Sequence, residues 1–437
     1  MHTGHAAGGG LEAGWAQPVQ AGPPPSLSPS WSCLSLSLSL SSCHLPACSP
    51  GALAMRLSTL LVCALWSARS LGAPVRWDAY CAADYVRDFG RAYTAEEAWR
   101  LPLLEARLAA VAEHNAGASS YRRGVNQFTD RSDAELRSLR GVSMHTLTPA
   151  APRPSGVAAP LSDETHVDWR DRGVLTAVKN QGGCGSCWAF AASEALESEY
   201  ALTMGRLELL SVQQVLECVP NPMECGGDGG CTGGTPELAF AAITNSSGIA
   251  SEWSYPYTSF HGDSVFPCSL DARRTPPVAR VTGHVKLPSN DQGAVLEALQ
   301  SRPLAVNVDA SAWFSYSGGV FTGCDSSSPD IDHAVQLVGA GVDQESGLAY
   351  WLIRNSWSSA WGEQGFMRLL RTPEPLCAED VRPFDGSDCR NVSQPVKEVR
   401  VCGQCSILYD VSYPLVSALA QPTLQGATGA QDRVAAA

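Results

Sequence analysis

The chain has 437 residues, which is enough for two or three domains or for one domain with processed ends. Apolar residues make up 44% of it, enough for a hydrophobic core, and the net charge of −13 argues against nucleic acid as a partner. Sixteen cysteines are many for a reducing compartment. Composition therefore favours a globular protein of the secretory pathway.

Residues 1–54 are rich in Gly, Pro, Ser and Ala and predict no fold of their own. Residues 55–73 have the pattern of a secretory signal peptide: a basic residue after Met55, a short apolar run, and small residues where cleavage would occur. We therefore expect translation to begin at Met55, with residues 1–54 as an upstream extension. No other stretch is long and apolar enough to predict a transmembrane helix, so we expect no membrane anchor.

Residues 74–140 predict a small, mostly helical unit. Six residues recur every three or four positions and would share one helix face: Glu96, Arg100, Leu104, Arg107, Val111 and Asn115. Pro102 falls inside this pattern and should destabilise or kink the helix. A linker rich in Pro, Ala, Ser and Thr follows at 141–160, and a large domain at 161–415 precedes a flexible tail at 416–437.

The segment that says most about chemistry is Gln181–Phe190, which reads QGGCGSCWAF. Cys187 follows a glycine-rich turn and begins a helical pattern whose apolar positions are Trp188, Ala191, Ala192, Ala195 and Leu196. The N-terminus of a helix favours a thiolate, which is the nucleophilic form of cysteine. We therefore predict that Cys187 is a nucleophile.

This segment resembles the active-site region of papain-family, cathepsin L-like cysteine peptidases. The upstream unit resembles the inhibitory propeptide of the same family, because Gly124–Asp130 reads G-x-N-x-F-x-D and the helix keeps Glu96, Arg100 and Asn115. The resemblance implies an α+β, papain-like fold with a helical lobe and a β-barrel-like lobe, preceded by a mostly helical propeptide. It also implies a latent zymogen, in which the propeptide is an intramolecular inhibitor.

The resemblance assigns a role to three further residues. His333 opens an apolar segment that predicts a buried strand, and it would be the base and acid beside Cys187. Asn355 would fix the tautomer of that histidine, and Gln181 would help to bind the oxyanion. The implied function is a cysteine endopeptidase that hydrolyses peptide bonds in proteins through a Cys187 thiolate and a His333 imidazolium, without a metal or organic cofactor.

A substrate cleft is implied as well. Cys231–Gly234 resembles the C-x-G-G wall of the family, where glycines let a substrate backbone approach closely. The residues implied to contact substrate are Gly233, Gly234, Thr235, Pro236, Asn307, Ile331, Ala334, Trp357 and Asp410. Asn307 and Asp410 are more polar than is usual in the pocket for the residue two before the scissile bond. We therefore expect this pocket to accept a basic residue beside hydrophobic ones.

Eleven cysteines follow residue 180, and setting Cys187 aside as the nucleophile leaves ten, which can form five bridges. The resemblance suggests the following bridges: Cys184–Cys231, Cys218–Cys268, and Cys324 with either Cys402 or Cys405. Cys377–Cys389 is a plausible closure of a local loop, and Cys225 has no assigned partner. The unassigned cysteines lie mostly in two insertions, 220–230 and 372–400. Neither insertion has the paired histidines of a carboxydipeptidase-type occluding loop, which favours an endopeptidase.

Three other functions fit part of this pattern. Cys184 and Cys187 form a C-x-x-C pair, which is the arrangement of thiol–disulfide oxidoreductases. Together with Cys402 and Cys405 they have spacing that could bind zinc. A peptidase-like binding protein without activity is the third alternative. The first two require thiols in place of bridges, and the third usually lacks one of the catalytic residues, all of which this chain keeps.

Location and partners follow from the same reasoning. If the chain is secreted, Asn245 and Asn391 are acceptors for N-glycosylation. A lysosome or vacuole and the extracellular space are both open as destinations. We expect protein and peptide substrates, cystatin-like inhibitors as further partners, and a monomeric enzyme.

Overall fold

The computed structural model describes residues 80–140, 166–224, 226–262, 266–381 and 398–417. Three predicted segments lie outside these ranges: the N-terminal extension, the signal peptide and the linker. Cys225, Cys389, Asn391 and all but two residues of the predicted tail also lie outside them. Within the described ranges, no helix is both long and apolar enough to cross a membrane.

The N-terminal unit is mostly helical, as predicted. Its longest helix, α2 (Arg100–Ala116), buries Leu104, Leu108 and Val111 on one face. It begins at Arg100, so Pro102 lies in the first turn, where backbone N–H groups have no partner within the helix. The helix therefore continues past Pro102 to Ala116, and the expected disruption was wrong. The elements of this unit are α1 (Ala82–Asp88), a 3-10 turn (Ala95–Glu97), α2 (Arg100–Ala116), β1 (Tyr121–Arg123) and α3 (Asp133–Ser138).

Glu96 does not share the face of α2, which corrects the predicted pattern. It is exposed in the separate 3-10 turn, before the chain enters the helix. Periodicity alone could not detect this break, because the spacing of apolar and charged residues runs on across the turn.

The helical lobe is built around α4, which begins at Cys187. Every residue from Cys187 to Ala201 is buried, so the helix is enclosed on all sides rather than amphipathic. Its three buried acids are each paired: Glu194 with Arg354, Glu197 with Lys179 and Glu199 with Arg302. The remaining helices are α4 (Cys187–Met204), α5 (Val212–Cys218), α6 (Pro236–Thr244) and α7 (Gln292–Leu299).

The β-rich lobe is built on one large sheet, which β1 joins. Its other strands are β2 (Val167–Asp168), β3 (Ile249–Ala250), β4 (Pro277–Lys286), β5 (Leu304–Val308), β6 (Tyr316–Phe321), β7 (His333–Val342), β8 (Ala349–Arg354), β9 (Phe366–Leu370) and β12 (Asp410–Ser417). The ten strands follow the order β1-β6-β9-β8-β7-β5-β12-β4-β3, and β2 pairs with β7. The β6–β9 pair is parallel and all the others are antiparallel. This order has two ends, so the sheet in the described residues is open rather than a closed barrel.

The N-terminal unit contributes β1 to this sheet, where it pairs with β6. Tyr121 lies opposite Gly319, and a Cβ atom on Gly319 would lie 2.4 Å from the carbonyl oxygen of Ser120. Gly319 also has φ +86°, a conformation that favours glycine. The close approach of the two chain segments therefore requires glycine at this position.

The described residues contain four disulfide bridges: Cys184–Cys231, Cys218–Cys268, Cys324–Cys405 and Cys377–Cys402. The expected Cys377–Cys389 bridge was wrong. The second insertion and the residues that follow it contribute an antiparallel hairpin of β10 (Cys377–Asp380) and β11 (Val399–Cys402), which places Cys377 directly opposite Cys402. Because Cys402 is bonded to Cys377, it is not available to Cys324, which pairs with Cys405.

We expect peptide mapping under non-reducing conditions to recover a cross-linked peptide containing Cys377 and Cys402. Replacing both by serine in a Cys187→Ala chain should lower the free energy of unfolding by about 3 kcal/mol, because this bridge closes a loop of moderate length. Urea unfolding of the two proteins measures the difference. Recovery of a Cys377–Cys389 peptide would contradict this pairing.

Candidate active site

The glycine-rich turn before α4 is packed too tightly for side chains. A Cβ atom on Gly182, which has φ +67°, would lie 2.0 Å from the carbonyl oxygen of Phe260. A Cβ atom on Gly185 would lie 2.4 Å from the carbonyl oxygen of Cys231. The turn therefore delivers the chain to Cys187, the buried first residue of α4, which retains its thiol. A thiol at this position lies at the positive end of the helix dipole.

His333 and Asn355 meet because β7 and β8 are antiparallel neighbours. His333 is the first residue of β7, and Asn355 directly follows β8. The imidazole Nε2 lies 2.9 Å from Asn355 Oδ1, which also accepts from the N–H of Ser356 at 2.8 Å. Since this amide atom accepts from a backbone N–H, it is the oxygen, and His333 Nε2 must be the donor. Nδ1 is then the ring's acceptor, and it has no hydrogen-bond partner among the described residues.

Aromatic rings enclose the imidazole of His333. The ring of Trp357 lies 4.7 Å from it and is stacked on Phe314 at 4.4 Å. This burial lowers the pKa of His333 to about 3, against the hydrogen bond to Asn355, which raises it. The positive charge of Arg140 lowers the pKa further. The imidazole is therefore neutral at neutral pH while the N-terminal unit is in place.

The side chain of Gln181 connects this region to the N-terminal unit. Its Nε2 donates to the carbonyl oxygens of Leu139 at 2.7 Å and of Cys184 at 2.8 Å. Its Oε1 accepts from the hydroxyl of Ser356 at 2.8 Å. The amide N–H₂ is thus held beside the start of α4 and already binds a carbonyl oxygen, the kind of atom that becomes an oxyanion when a peptide bond is attacked.

The structure brings the predicted catalytic residues into one region. Ser356 connects Gln181 to Asn355, and Asn355 contacts His333. Cys187 packs in the same hydrophobic cluster as Ala334, the residue after His333. This arrangement has the parts that acyl transfer requires: a thiol, an imidazole, a group that orients the imidazole, and a donor for a developing negative charge.

Two residues of this region were missed by sequence reasoning. Tyr257 donates its hydroxyl to the carbonyl oxygen of Gln181 at 2.8 Å and lies 2.9 Å from the hydroxyl of Ser186. Burial raises the pKa of Tyr257 to about 12, so it stays protonated as a donor. Ser356 holds the Gln181 amide, as described above. Ser356 could have been noticed beside Asn355, whereas nothing near Tyr257 in the sequence points to this contact.

The G-x-N-x-F-x-D motif lies directly on the rings that enclose His333. Phe128 packs edge-on against Phe314 at 5.3 Å and against Trp357 at 5.5 Å. Asn126 Nδ2 donates to the carbonyl oxygen of Phe314 at 2.6 Å, and Gln127 Nε2 donates to that of Trp357 at 2.9 Å. The motif is therefore a docking device, and it holds the N-terminal unit over the candidate site.

Packing and backbone conformation explain the residue types in the predicted wall of the cleft, from Gly233 to Pro236. A Cβ atom on Gly234 would lie 2.7 Å from the ring of Trp188, and Gly233 has φ +107°. Thr235 caps α6 by accepting from the N–H of Leu238, and Pro236 is the first residue of that helix. The two glycines are thus required by packing and backbone conformation, whether or not a substrate is bound.

Three predicted pocket residues lie on neighbouring strands. Asn307 lies opposite Ala334 on one side and opposite Asp410 on the other. Its Nδ2 donates to Asp410 Oδ2 at 2.8 Å, and Lys286 Nζ lies 2.7 Å from Asp410 Oδ1. Asp410 is therefore paired already, which sequence reasoning did not anticipate.

Two further buried groups complete this region. Glu237 is buried, and its carboxyl group interacts with the carboxylate of Asp410 and the ammonium group of Lys286. Burial raises the pKa of Glu237 above its ordinary value, and Asp410 raises it further, whereas Lys286 lowers it. Ile331 is buried and packs with Val401 of the β10–β11 hairpin. The β10–β11 hairpin thus packs against one of the predicted pocket residues.

The bridges exclude two of the alternative functions. Cys184 is bonded to Cys231, so it cannot act with Cys187 as a redox pair. Cys402 and Cys405 are each bonded to another cysteine and have no thiolate to offer a zinc ion. The oxidoreductase and zinc interpretations were therefore wrong.

Comparison with known proteins gives the same assignment for both units. Residues 164–386 match the papain family cysteine protease model, and residues 83–136 match the cathepsin propeptide inhibitor domain. Fruit bromelain from Ananas comosus is 34% identical over 71% of this chain and 87% of its own length. Cysteine protease 1 from Oryza sativa subsp. japonica is 40% identical over 59% of this chain, which spans only 52% of that relative.

A solved structure extends the similarity to the fold of both units together. Digestive procathepsin L 3 of Tenebrio molitor larval midgut has a TM-score of 0.57 and 30% identity, covering 76% of this chain and 97% of its own. The chain therefore belongs to the papain family of cysteine proteases, as a cysteine endopeptidase that carries its own cathepsin-type propeptide inhibitor domain.

Proposed function

We propose that Cys187 is the nucleophile of this endopeptidase, His333 its base and acid, Asn355 the group that orients His333, and Gln181 the oxyanion donor. The observation that carries this assignment is the contact between Gln181 and the carbonyl oxygen of Leu139. The inhibitory unit presents a peptide carbonyl to the amide that would bind the oxyanion. The His333–Asn355 pair lies beside it through Ser356.

The reaction follows from these positions once the propeptide has left. The Cys187 thiol gives its proton to His333, and the helix N-terminus stabilises the resulting thiolate. The thiolate attacks the peptide carbonyl, while Gln181 Nε2 and the Cys187 N–H donate to the oxygen. His333 then protonates the leaving amine, and a water deprotonated by His333 hydrolyses the acyl-enzyme. Asn355 keeps the Nε2 proton in place, so Nδ1 is the atom that exchanges protons with Cys187 and the amine.

Latency and its response to acid follow from the burial of His333. In the covered state its pKa is about 3, whereas an unburied imidazole has a pKa near 6.5. The covered state therefore binds fewer protons than the open one. The contribution of His333 to the stability of the covered state, relative to the open state, is fully present above pH 6.5. It is lost as the pH falls from 6.5 towards 3. Acid thus favours departure of the propeptide.

We extend the proposal to the organisation of the chain. Residues 74–140 are the propeptide, 141–160 the processing linker and 161–415 the peptidase domain; the regions matched by the family models fall inside the first and third of these. Residues 1–54 are the N-terminal extension, 55–73 the signal peptide and 416–437 the tail.

The proposed location is the secretory pathway, ending in a lysosome, a vacuole or the extracellular space. Four disulfide bridges support an oxidising route. Asn245 is exposed at the end of α6, where an oligosaccharide could be attached, and Asn391 is a second proposed acceptor. The proposed partners are protein and peptide substrates and cystatin-like inhibitors, acting on a monomer.

We expect acid-matured protein to hydrolyse a dipeptidyl-coumarin substrate at pH 5. Cys187→Ala should reduce kcat/KM by at least about a thousandfold, because the acyl-enzyme cannot form. An epoxide thiol inhibitor should abolish the activity. Cys81→Ala is the matched control, because Cys81 is the other described cysteine with a thiol and lies in the propeptide. Activity retained by Cys187→Ala would refute the assignment.

We expect His333 to remain neutral between pH 7 and pH 5 in the full-length Cys187→Ala zymogen. NMR of ¹³C-labelled histidine measures this, with the signal assigned by its absence from a Cys187→Ala/His333→Gln spectrum. Burial under Trp357 is the physical reason. A midpoint near pH 6.5 while the propeptide is still bound would show that the imidazole is not shielded as described.

We expect the pocket around Asn307 and Asp410 to accept arginine or lysine two residues before the scissile bond, beside hydrophobic residues. The Arg-to-Leu ratio of kcat/KM in a substrate library should rise from pH 5 to pH 7.5, because Glu237 loses its proton and makes the pocket more negative. Asp410→Asn should lower the ratio severalfold. A library in which neither basic residue is accepted rules this preference out.

A further inference from the structure

We propose that Asp332 and Phe314 form a subsite that selects an arginine or lysine on the leaving-group side of the scissile bond. The inference rests on the proposed function, since it places the scissile carbonyl between Cys187 and Gln181. It concerns the opposite side of that bond from the pocket of Asn307 and Asp410.

The subsite already holds an arginine, contributed by the propeptide. Arg140 Nη1 binds Asp332 Oδ2, and the two side chains are only 11% and 13% exposed. The guanidinium carbon of Arg140 lies 6.0 Å from the centre of the Phe314 ring. A removable segment of the chain thus places a basic side chain in a buried position, against a carboxylate and an aromatic ring.

The carboxylate does not depend on Arg140 for its position. Asp332 Oδ1 accepts from the N–H of Ala310 at 3.1 Å, and the Asp332 N–H donates to the carbonyl oxygen of Val308 at 3.0 Å. Departure of Arg140 leaves the carboxylate held by the backbone, with Oδ2 available to another donor. A fixed acceptor of this kind binds a cation without the entropic cost of ordering a long acidic side chain.

The groups around Asp332 favour a basic side chain over an acidic one in this subsite. The carboxylate of Asp309, itself buried, interacts electrostatically with Asp332. Phe314 is fixed by its stacking on Trp357, with the two rings inclined by only 10°. Its face can accept the flat guanidinium or the aliphatic stem of a lysine. A substrate acid would meet the two acidic side chains of Asp332 and Asp309 here.

The side of the scissile bond follows from the neighbours of Asp332 and Arg140. Asp332 directly precedes His333, the group that protonates the leaving amine. Leu139 presents its carbonyl oxygen to Gln181, and Arg140 is the next residue of the same segment. A side chain at the Arg140 position therefore lies beside the scissile bond. The Cys231–Gly234 wall lies elsewhere, next to Trp188 and Gly185.

The test uses internally quenched peptides that differ only in the first residue after the scissile bond: arginine, citrulline, lysine, leucine or glutamate. Citrulline has the shape of arginine without its charge. Acid-matured full-length protein is assayed at pH 6, and mass spectrometry verifies the cleaved bond. We expect arginine to exceed citrulline about tenfold in kcat/KM, as for one charge-assisted hydrogen bond in a partly buried site. Glutamate should be the poorest.

Variants assign the preference to Asp332. Asp332→Asn should bring the arginine-to-citrulline ratio close to one, whatever it does to the overall rate. Asp271→Asn removes the same charge from an exposed turn and should leave the ratio unchanged. If Asp332→Asn does not fold, the wild-type comparison decides alone: the arginine advantage should shrink as sodium chloride is raised.

Equal rates for arginine and citrulline in the wild type would overturn the subsite, as would a ratio that survives in Asp332→Asn. If those peptides are still cleaved, and cleavage is lost in Cys187→Ala, the proposed function stands without the subsite. Failure to cleave any of the peptides or the coumarin substrate would overturn both.

Discussion

The attachment of α4 to the sheet is the constraint on which the site depends. The nucleophile begins a helix and the base begins a strand, so their relation is set by contacts deeper in the protein. Arg354 at the end of β8 lies 3.3 Å from Glu194 of α4, with both side chains almost fully buried. Gln336 of β7 donates to the carbonyl oxygen of Glu194 at 3.0 Å and to the hydroxyl of Ser198 at 2.9 Å.

These polar contacts fix the position of α4 along β7 and β8. Apolar packing alone would fix this position less well. A helix with alanines at many of its contact positions could slide with little change in buried area. A buried acid whose partner is displaced loses its pairing, and that loss is costly. Burial raises the pKa of Glu194 and the charge of Arg354 opposes this, so the pairing of the two side chains favours the observed register.

Local motifs predicted the chemistry of the candidate site, whereas strand register determined what they missed. Cys187 at a helix start and His333 at a strand start are both readable from a few neighbouring residues. The Cys377–Cys402 bridge and the pairing of Asp410 with Lys286 depend on which strands lie side by side. No local pattern contains that information. The predicted start of the α2 helix was wrong for a related reason. The regular spacing that begins at Glu96 continues across the 3-10 turn into the helix, so the spacing alone does not reveal the boundary.

The propeptide inhibits this enzyme through the groups proposed to act in catalysis. Arg140 brings a positive charge close to His333, which lowers the pKa of the imidazole, and the same guanidinium is bound to Asp332. When the propeptide leaves, the cation departs and the Asp332 carboxylate remains next to His333 in the chain. The loss of this positive charge favours the imidazolium that pairs with a thiolate. Removal of one segment therefore opens the cleft to substrate and, in the same step, gives the histidine the electrostatic surroundings that its reaction requires.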